Sequence, residues 1–427
     1  MSIDSTLCVG VIGLGYVGLP LARLLATKYK VVGFDIDDRR ISELQAGNDW
    51  TGEIDNATMR HLLDLPTFSL TTKVAELANH GIGIYIICVP TPVDVYNRAN
   101  LKPLRTASKL VGSILKQGDL VIYESTVYPG VTEDECVPCL ASSSRLTYNE
   151  DFFVGYSPER INPGDKVHTV EQIKKVTSGS TPDVAARVDK LYASIIKAGT
   201  HPVSSIRVAE ASKIIENTQR DINIAFMNEL AKIFNAMGID TGEVIEAAST
   251  KWNFIPMKPG LVGGHCIGID PYYLIQKAQI YGVIPRLISE ARRLNDSMGA
   301  YVASEVIRLM NKKNIKVKGS RILLLGFSFK ENCADIRNTK VADIYNSLQE
   351  YTPHITVHDP HVNVHHAQQE YDITIAPVLP IQSYDAIVIA VAHQCFQEIN
   401  FAELRNSSTI LYDVKGMLPC AQVDGRL

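Results

Sequence analysis

One cysteine in a glycine-rich loop could act as a nucleophile. Residues 263–266 read Gly-Gly-His-Cys and follow a Lys-Pro-Gly segment at 258–260. The thiolate is the reactive form of cysteine, and nearby lysines lower the pKa of a thiol. The alternative is that Cys266 is buried and inert, which is the commoner state of a free cysteine. The neighbouring His265 is either a base or ligand, or a structural residue.

Polar side chains elsewhere could assist a reaction at this thiol. Asp270 precedes Pro271, so it is either a carboxylate that assists proton transfer or a helix N-cap followed by proline at the first helical position. Lys213, Asn217 and Arg220 have the spacing i, i+4 and i+7 and therefore share one face of a helix. These three residue types suit a hydroxyl, an alkoxide and a phosphate. A solvated polar helix face has the same pattern.

A turn-rich segment provides a further candidate base. Residues 157–164 read Ser-Pro-Glu-Arg-Ile-Asn-Pro-Gly and follow an apolar strand. Functional residues are often found on such loops, so Glu159 could be a base and Arg160 could contact a phosphate or a sugar. Turn formation alone also explains the residue types of this segment.

The N-terminal region carries a dinucleotide-binding pattern. Residues 13–18 read Gly-Leu-Gly-Tyr-Val-Gly, between an apolar strand and a predicted helix. Gly13 permits a tight turn, Gly15 lets a pyrophosphate approach the backbone, and Gly18 lets helix and strand pack closely. Asp35 ends the next strand, where a carboxylate binds ribose hydroxyls and repels a 2′-phosphate. The sequence therefore predicts NAD rather than NADP.

The elements that must position these residues alternate between strands and helices. Apolar strands are predicted at 8–12, 31–35, 83–89 and 120–124, with a helix at 17–27. This alternation indicates βαβ units and a parallel sheet. The pattern extends to about residue 200.

Helices and then a second α/β region follow. Helical stretches are predicted at about 206–237 and 287–311, separated by a loop rich in glycine and proline at 252–271. Strands are then predicted at 321–325, 355–359, 386–391 and 410–414. The first stretch carries more apolar side chains than one small domain could bury, which predicts at least a homodimer; they are Ile214, Ile215, Ile222, Ile224, Phe226 and Leu230.

Length and composition exclude several classes of protein. The 427 residues imply two or three domains, and 46% hydrophobic with 21% charged residues is normal for a soluble globular protein. A net charge of −4 predicts no nucleic-acid partner. The eight cysteines form no disulfide framework, and the lone Cys-x-x-Cys pair at 136 and 139 has no second pair or histidine partner at ligand spacing. We therefore expect reduced thiols in the cytoplasm and no metal site. No apolar run is long enough to span a membrane.

Five motifs, in order, resemble those of the UDP-glucose/GDP-mannose dehydrogenase family over essentially the whole chain. They are Val-Pro-Thr-Pro at 89–92, Glu-Ser-Thr-Val-Tyr-Pro-Gly at 124–130, the segment at 157–164, Gly-Gly-His-Cys-Ile-Gly-Ile-Asp-Pro at 263–271 and Gly-Phe-Ser-Phe-Lys-Glu-Asn at 326–332. Segments 216–221 and 258–266 look most like the UDP-N-acetylhexosamine 6-dehydrogenase branch, which includes enzymes of Vi-antigen-type capsule synthesis.

The resemblance implies an α/β fold with two Rossmann-like domains joined by a central helical dimerisation region. The implied boundaries are 1–203 for an NAD-binding domain, 204–312 for the helical and catalytic region, and 313–427 for a UDP-binding domain. The UDP-glucose branch often has lysine where this chain has Glu331, so nucleotide contacts at that position differ between branches.

The resemblance also implies individual roles. Cys266 would be the nucleophile, assisted by Lys213 and Asp270; Asn217 would hold the oxyanion, and Glu159 and Thr126 would support a water molecule. The implied NAD contacts include the glycines of the loop. They are Gly13, Gly15, Tyr16, Val17, Gly18, Asp35, Arg40, Thr91, Thr126 and Arg337. The implied substrate contacts are Glu159, Arg160, Ile161, Lys213, Asn217, Arg220, Gly263, Lys330 and Glu331.

The implied activity is an NAD-dependent four-electron oxidation of UDP-N-acetylglucosamine at C6, through a thiohemiacetal and a thioester on cysteine, for surface polysaccharide synthesis. UDP-N-acetylgalactosamine, UDP-N-acetylmannosamine and UDP-glucose are alternative substrates. Two other classes remain open: a hydroxy-acid dehydrogenase that transfers a single hydride, and a non-catalytic protein that senses the nucleotides.

Overall fold

The computed structural model describes residues 7–94, 97–161, 169–264 and 266–427. These residues form two compact units. The first contains the described residues up to Glu216 together with Tyr272–Tyr281, and the second contains those of Asn217–Pro271 and Gly282–Leu427. Each unit is built on its own β-sheet, with helices between the strands. The predicted class, α/β with two Rossmann-like parts and a central helical region, is confirmed.

The sheet of the first unit has eight strands. They are β1 (Cys8–Ile12), β2 (Lys30–Phe34), β3 (Phe68–Thr71), β4 (Ile82–Ile87), β5 (Leu120–Tyr123), β6 (Phe153–Tyr156), β7 (Lys175–Gly179) and β8 (Thr200–Pro202). Their spatial order is β3-β2-β1-β4-β5-β6-β7-β8. The strands β1, β4 and β5 are almost wholly buried, since a parallel sheet is covered on both faces and its strands are apolar throughout.

Seven helices connect these strands. They are α1 (Gly18–Ala26), α2 (Asp38–Gln45), α3 (Asn56–Leu63), α4 (Val74–Asn79), α5 (Lys102–Gly112), α6 (Val137–Ser144) and α7 (Pro182–Ala193). Capping side chains fix several of the starts: Asp37, Asp55 and Thr181 each accept a hydrogen bond from a backbone N–H of the first turn.

Two strands depart from the predicted parallel sheet, because β8 is parallel to β7 and both run opposite to the other six. β7 runs antiparallel to β6, with Gly155 opposite Gly179 and Tyr156 opposite Ser178. The carboxyl end of β6 therefore lies beside the amino end of β7. This reversal brings Lys175, the first residue of β7, to the sheet edge where β4, β5 and β6 end.

Five helices occupy the centre of the sequence. They are α8 (Ile206–Met237), α9 (Thr241–Ser249), α10 (Asp270–Ile280), α11 (Arg286–Asp296) and α12 (Met298–Lys312). The helical stretch predicted at 287–311 is confirmed as two consecutive helices, α11 and α12, which meet at Ser297. Beyond the break, Gly299 lies so close to a neighbouring segment that a Cβ there would be 2.6 Å from Cβ of Asp343. Close packing of α12 against this segment therefore requires glycine at this position.

The second unit contains a six-stranded, wholly parallel sheet. Its strands are β9 (Ile322–Leu325), β10 (Ile355–His358), β11 (Ile375–Ala376), β12 (Tyr384–Ile389), β13 (Arg405–Asp413) and β14 (Gly425–Arg426), in the spatial order β11-β10-β9-β12-β13-β14. The helices α13 (Val341–Gln349) and α14 (Val364–Tyr371) complete it. Within the described ranges, no helix is both long enough and apolar enough to cross a membrane.

Candidate active site

The predicted dinucleotide loop has the geometry expected of each glycine. Gly13 has φ +94°, and its N–H donates to the carbonyl of Phe34 at 2.8 Å. A Cβ at Gly18 would lie 1.8 Å from the carbonyl oxygen of Gly13, so helix α1 packs against the turn only through glycine. A Cβ at Gly15 would meet no protein atom within 4 Å. Protein packing does not explain the glycine there, whereas a pyrophosphate against the backbone does.

Asp35 lies beside this loop at the end of β2. One carboxylate oxygen accepts the N–H of Leu14 at 2.8 Å and the other accepts the N–H of Asp37 at 3.0 Å. The residue is partly exposed, so lone pairs remain open to ribose hydroxyls. The residues present therefore fit an NAD molecule.

Two further predicted NAD contacts have different surroundings. Arg40 is buried, donates from Nε to the carbonyl of Leu14 at 2.8 Å and pairs with Asp49 at 2.7 Å, so it supports the loop from behind. Tyr16 lies edge-to-face with Trp50 at 5.6 Å between ring centroids. Trp50 is 60% exposed and was not predicted from the sequence; it extends the rim of the dinucleotide loop.

The loops that follow β4 and β5 are joined to each other. The hydroxyl of Thr91 donates to the carbonyl of Thr126 at 2.6 Å, and the hydroxyl of Ser125 donates to the carbonyl of Val89 at 2.7 Å. The structure thus brings two predicted NAD contacts, Thr91 and Thr126, to one edge of the first sheet.

Glu159 is held in a buried cluster at the same edge. Its Oε1 accepts the N–H groups of Arg160 at 2.6 Å and Ile161 at 2.8 Å. Its Oε2 accepts from Nζ of Lys175 at 2.9 Å, and the same ammonium donates to Glu124 at 2.5 Å. This set goes beyond turn formation, because a buried ion pair is not needed to shape a turn.

The pKa values of the two carboxylates in this cluster, Glu124 and Glu159, shift in opposite directions. Burial raises the pKa of Glu124 to about 7, despite the nearby lysine. Burial also raises the pKa of Glu159, but the ammonium groups of Lys175 and Lys213 outweigh it and lower that pKa below its usual value. Glu159 is therefore ionised near neutral pH.

Arg160 and Ile161 adjoin this cluster. The guanidinium of Arg160 pairs with Glu216 at 2.7 Å and donates to the carbonyl of Lys174 at 3.0 Å. Residues 162–164 of the predicted segment lie outside the described residues.

The three polar residues on α8 differ in exposure. Lys213 is buried, and the amide of Asn217 donates to a carboxylate oxygen of Asp270 at 2.5 Å. Arg220 is exposed in this chain. The solvated-face alternative is therefore wrong for Lys213 and Asn217.

Asp270 is not a simple helix cap. Helix α10 begins at Asp270 itself rather than at Pro271, and Asp270 is 2% exposed. Its backbone N–H donates to the carbonyl of Cys266 at 2.8 Å. Buried within its own unit and bonded to Asn217, the carboxylate has surroundings suited to assisting proton transfer.

Cys266 is partly exposed, which does not fit the buried, inert alternative. Its loop packs on the segment after β9: a Cβ at Gly263 would lie 2.7 Å from the carbonyl oxygen of Asn338, and one at Gly264 2.7 Å from the ring of Phe329. His265 lies outside the described residues. The structure thus brings Gly263 to the segment that carries Lys330, Glu331 and Arg337. Arg337 itself forms a two-point ion pair with Asp335, at 2.6 Å for the shorter contact.

The start of the cysteine loop is anchored by a buried polar network that the sequence did not reveal. The amide of Asn228 donates to the carbonyl of Gly260 at 3.0 Å and accepts the Gly260 N–H at 2.8 Å. Asn228 also donates to Asn295, which donates to Asp221 at 2.7 Å. The fully buried Arg292 pairs with Asp221 at 2.6 Å. These contacts fix the loop because buried polar groups are costly unless paired.

The second unit also contains a cavity of about 400 Å³. Its lining includes Lys258, Lys415 and Arg426. Arg426 pairs with Asp240 at 2.6 Å, and Glu243 and Glu246 also line the cavity, so the charges of the two lysines are balanced.

Three family models match successive parts of the chain. The NAD binding domain of the UDP-glucose/GDP-mannose dehydrogenase family matches residues 7–196, its central domain matches 207–297, and its UDP binding domain matches 323–419.

Relatives match the chain over nearly its full length. It is 54% identical to the UDP-N-acetyl-D-glucosamine 6-dehydrogenase of Pseudomonas aeruginosa, over 98% of this chain and 99% of that protein. It is 50% identical to the protein of that name from Salmonella typhi, over 98% of each chain. A solved structure of UDP-D-ManNAc dehydrogenase from Pyrococcus horikoshii has a TM-score of 0.88 and 31% identity, covering 98% of each chain.

Proposed function

This chain belongs to the UDP-glucose/GDP-mannose dehydrogenase family, and we propose that it oxidises UDP-N-acetylglucosamine at C6 to the uronate in a four-electron reaction. The observation that carries the substrate assignment is the 54% identity, over nearly the whole chain, to an enzyme of that activity. The protein is an NAD-dependent oxidoreductase, with a UDP-binding domain for a UDP-sugar. A role in capsular or O-antigen polysaccharide synthesis is supported by 47% identity to Protein CapL of Staphylococcus aureus.

The proposed domain boundaries are 1–203, 204–312 and 313–427, in agreement with the order of the three family models. The proposed NAD site is the loop at 13–18 with Asp35. The proposed UDP site lies in the part of the chain that matches the UDP binding domain, residues 323–419.

The proposed chemistry assigns each residue a role. NAD, when bound, accepts a hydride in each of the two oxidations. The thiolate of Cys266 adds to the aldehyde carbon and keeps the intermediate from escaping, and covalent capture divides a hard step into easier ones. Lys213 and Asn217 stabilise the negative oxygen, and Asp270 assists proton transfer. Glu159 and Thr126 support the water that hydrolyses the thioester.

A substrate screen tests the proposed activity. Purified protein is mixed with NAD and, separately, UDP-N-acetylglucosamine, UDP-N-acetylgalactosamine, UDP-N-acetylmannosamine and UDP-glucose, and NADH is counted per sugar consumed. We expect the highest kcat/KM for the first sugar, with two NADH formed per sugar. One NADH per sugar would favour a hydroxy-acid-type dehydrogenase, and binding without turnover would favour a nucleotide sensor.

The nucleophile has its own test. Cys266→Ser keeps the side-chain size but removes a group that is partly thiolate near neutral pH. We expect steady-state turnover to fall by several orders of magnitude while NAD binding remains. Near wild-type formation of two NADH per sugar by this variant would rule out Cys266 as the nucleophile.

We also propose a cytoplasmic homodimer. Five large apolar side chains of α8 are exposed in the single chain: Val208, Ile215, Phe226, Ile233 and Met237. Of the residues that motivated the prediction, Ile215 and Phe226 are in this group, whereas Ile214 is buried. All eight cysteines are free thiols, which fits a reducing compartment. Light scattering that finds only monomer, or fractionation that finds the protein outside the cytoplasm, would contradict the proposal.

A further inference from the structure

The buried ammonium of Lys175 lies between two carboxylates. Its distance to Glu124 is 2.5 Å and to Glu159 2.9 Å, and the lysine side chain is 3% exposed. Glu124 also accepts from the phenol of Tyr192. Isolated charges are strongly disfavoured in a protein interior, so one lysine between two carboxylates keeps at least one of them ionised.

The two carboxylate oxygens of Glu159 are held by different groups, and Lys175 holds one of them. Both backbone N–H groups bind Oε1, whereas Lys175 alone among the described side chains is hydrogen-bonded to Oε2. Two different elements thus fix the plane of the carboxylate: the turn after β6 and the first residue of β7. The contact to Oε2 exists because β7 is antiparallel to β6, which places Lys175 beside Glu159.

We propose that Lys175 is a positioning residue for Glu159, which it holds as an oriented, ionised carboxylate for the hydrolytic half of the reaction. This inference rests on the proposed function. Glu124 is the second anchor of the lysine, and it keeps Nζ aligned with the sheet edge. Lys175 touches no reacting atom in this assignment; it acts through Glu159.

The step that depends on this arrangement is thioester hydrolysis. The oxygen of water forms a bond to the acyl carbon while its proton passes to the Glu159 carboxylate. Collapse of the adduct breaks the carbon–sulfur bond, and the electron pair returns to Cys266 as thiolate. The carboxylic acid product then loses its proton, and Glu159 returns its own to solvent. No electron is transferred, because both oxidations are complete.

Several titratable groups surround the cluster. They are Glu124 at the end of β5, Cys88 after β4, Tyr192 on α7 and Lys213 on α8. Tyr192 is fully buried and Cys88 is partly buried, and burial raises the pKa of each well above its usual value. They remain protonated near neutral pH, so the charge beside Glu159 is set by the two lysines and Glu124.

The test compares Lys175→Met, Lys175→Arg and a matched control. Lys340→Met also removes a lysine between two carboxylates, Asp296 at 3.0 Å and Asp343 at 3.1 Å, but in the other unit. Stopped-flow absorbance follows NADH from UDP-N-acetylglucosamine, and intact-protein mass spectrometry detects an acyl adduct.

For Lys175→Met we expect kcat to fall about 100-fold or more, which is the usual contribution of a positioned general base. Because both oxidations precede hydrolysis, two NADH per subunit should appear in a burst, and the adduct should accumulate. The acid limb of the kcat profile should move to higher pH. Lys175→Arg should restore kcat to within roughly fivefold of wild type by keeping the charge, and Lys340→Met should show no burst.

Other results would overturn the inference. The first is a kcat for Lys175→Met within threefold of wild type. The second is a loss of kcat without a burst, an acyl adduct or a shift of the pH profile, which is the result that a merely structural lysine would give. If Lys175→Met does not fold, the neutral pair Glu124→Gln with Lys175→Met is used, and the same burst is required of it. If wild-type protein does not form two NADH per sugar, the proposed function fails instead.

Discussion

The two Rossmann-like parts contain the same strand–turn arrangement but different surroundings for its aspartate. In the first, Gly13 follows β1 and Asp35 follows β2; in the second, Gly326 follows β9 and Asp359 follows β10. Each glycine has positive φ, and its N–H donates to the last residue of the neighbouring strand at 2.8 Å. Each aspartate accepts an N–H from the residue after the glycine.

The difference lies in the accessibility of the carboxylates. Asp35 is partly exposed, whereas Asp359 is 1% exposed and is bonded to Phe327, Ser328, His361 and His393. The first turn enters helix α1 at Gly18, whereas the second runs irregularly to α13 at Val341. The first turn is thus open to a ligand, and the second is closed by its own side chains.

The largest effect is expected from Asp359→Ala. His393 donates from Nε2 to Asp359 at 2.9 Å, and its Nδ1 accepts the N–H of Asn332, so the substitution leaves several buried donors without an acceptor. Each buried donor left unpaired costs about 1–3 kcal/mol, so the total loss should reach several kcal/mol. Asp35→Ala should cost about 1–2 kcal/mol, since its oxygens lose only two partly exposed hydrogen bonds. Urea unfolding measures both, and equal losses would contradict the contrast.

Alanine substitution should lower the free energy of unfolding more at Gly326, in the closed turn, than at Gly15, in the open turn. At Gly326 a Cβ would lie 2.5 Å from Cβ of Val391, at φ +90°. Overpacking and backbone strain together predict a loss of about 2–4 kcal/mol for Gly326→Ala. Gly15→Ala meets no protein atom and should change stability by less than about 0.5 kcal/mol. It should instead weaken NAD binding, measured by calorimetry; unchanged NAD affinity would argue against the pyrophosphate at Gly15.

Acid should lower the stability that the closed turn provides through Asp359. Burial raises the pKa of Asp359, but the hydrogen bonds from His393 and from backbone N–H groups outweigh it and lower the pKa to about 2. The stability this provides is present above the unfolded value near pH 4 and is lost as pH falls through 2, an effect of about 2 kcal/mol. Unfolding at pH 5 and pH 2.5 should show a smaller pH dependence in Asp359→Asn than in wild type.

The open turn should determine coenzyme choice. Asp35→Asn removes the charge that repels a 2′-phosphate, so the preference for NAD over NADP in kcat/KM should fall about tenfold, or 1.4 kcal/mol. Steady-state kinetics with both coenzymes measures the change. If wild type uses NADP as well as NAD, Asp35 does not set the preference.

The smallest effect is expected at the rim of the open turn. Trp50→Ala removes the ring beside Tyr16 and should weaken NAD binding by roughly threefold, as loss of a partly exposed aromatic contact predicts. The other tryptophan provides the control, since Trp252 is 91% exposed. A similar loss in Trp252→Ala would show that the effect at Trp50 is not local.

Much of the fold could be predicted from local sequence patterns. Alternating apolar strands and helices predicted the core strands of both sheets, and the strand–glycine–helix pattern predicted the open turn, because these signals depend on residues near one another in the chain. The helical stretch predicted at 287–311 is present, but the break at Ser297 that divides it was not predicted.

Part of the candidate site could be predicted from the sequence. Sequence motifs identified Glu159, Lys213, Asn217, Cys266 and Asp270, because glycine-rich loops and helical spacing are visible in one chain. They could not identify Lys175, which is one lysine in a run of ordinary residues. Its role exists only because β7 reverses direction and places it opposite Glu159. Strand direction depends on contacts between distant segments, so tertiary structure alone decided which charge lies beside which carboxylate.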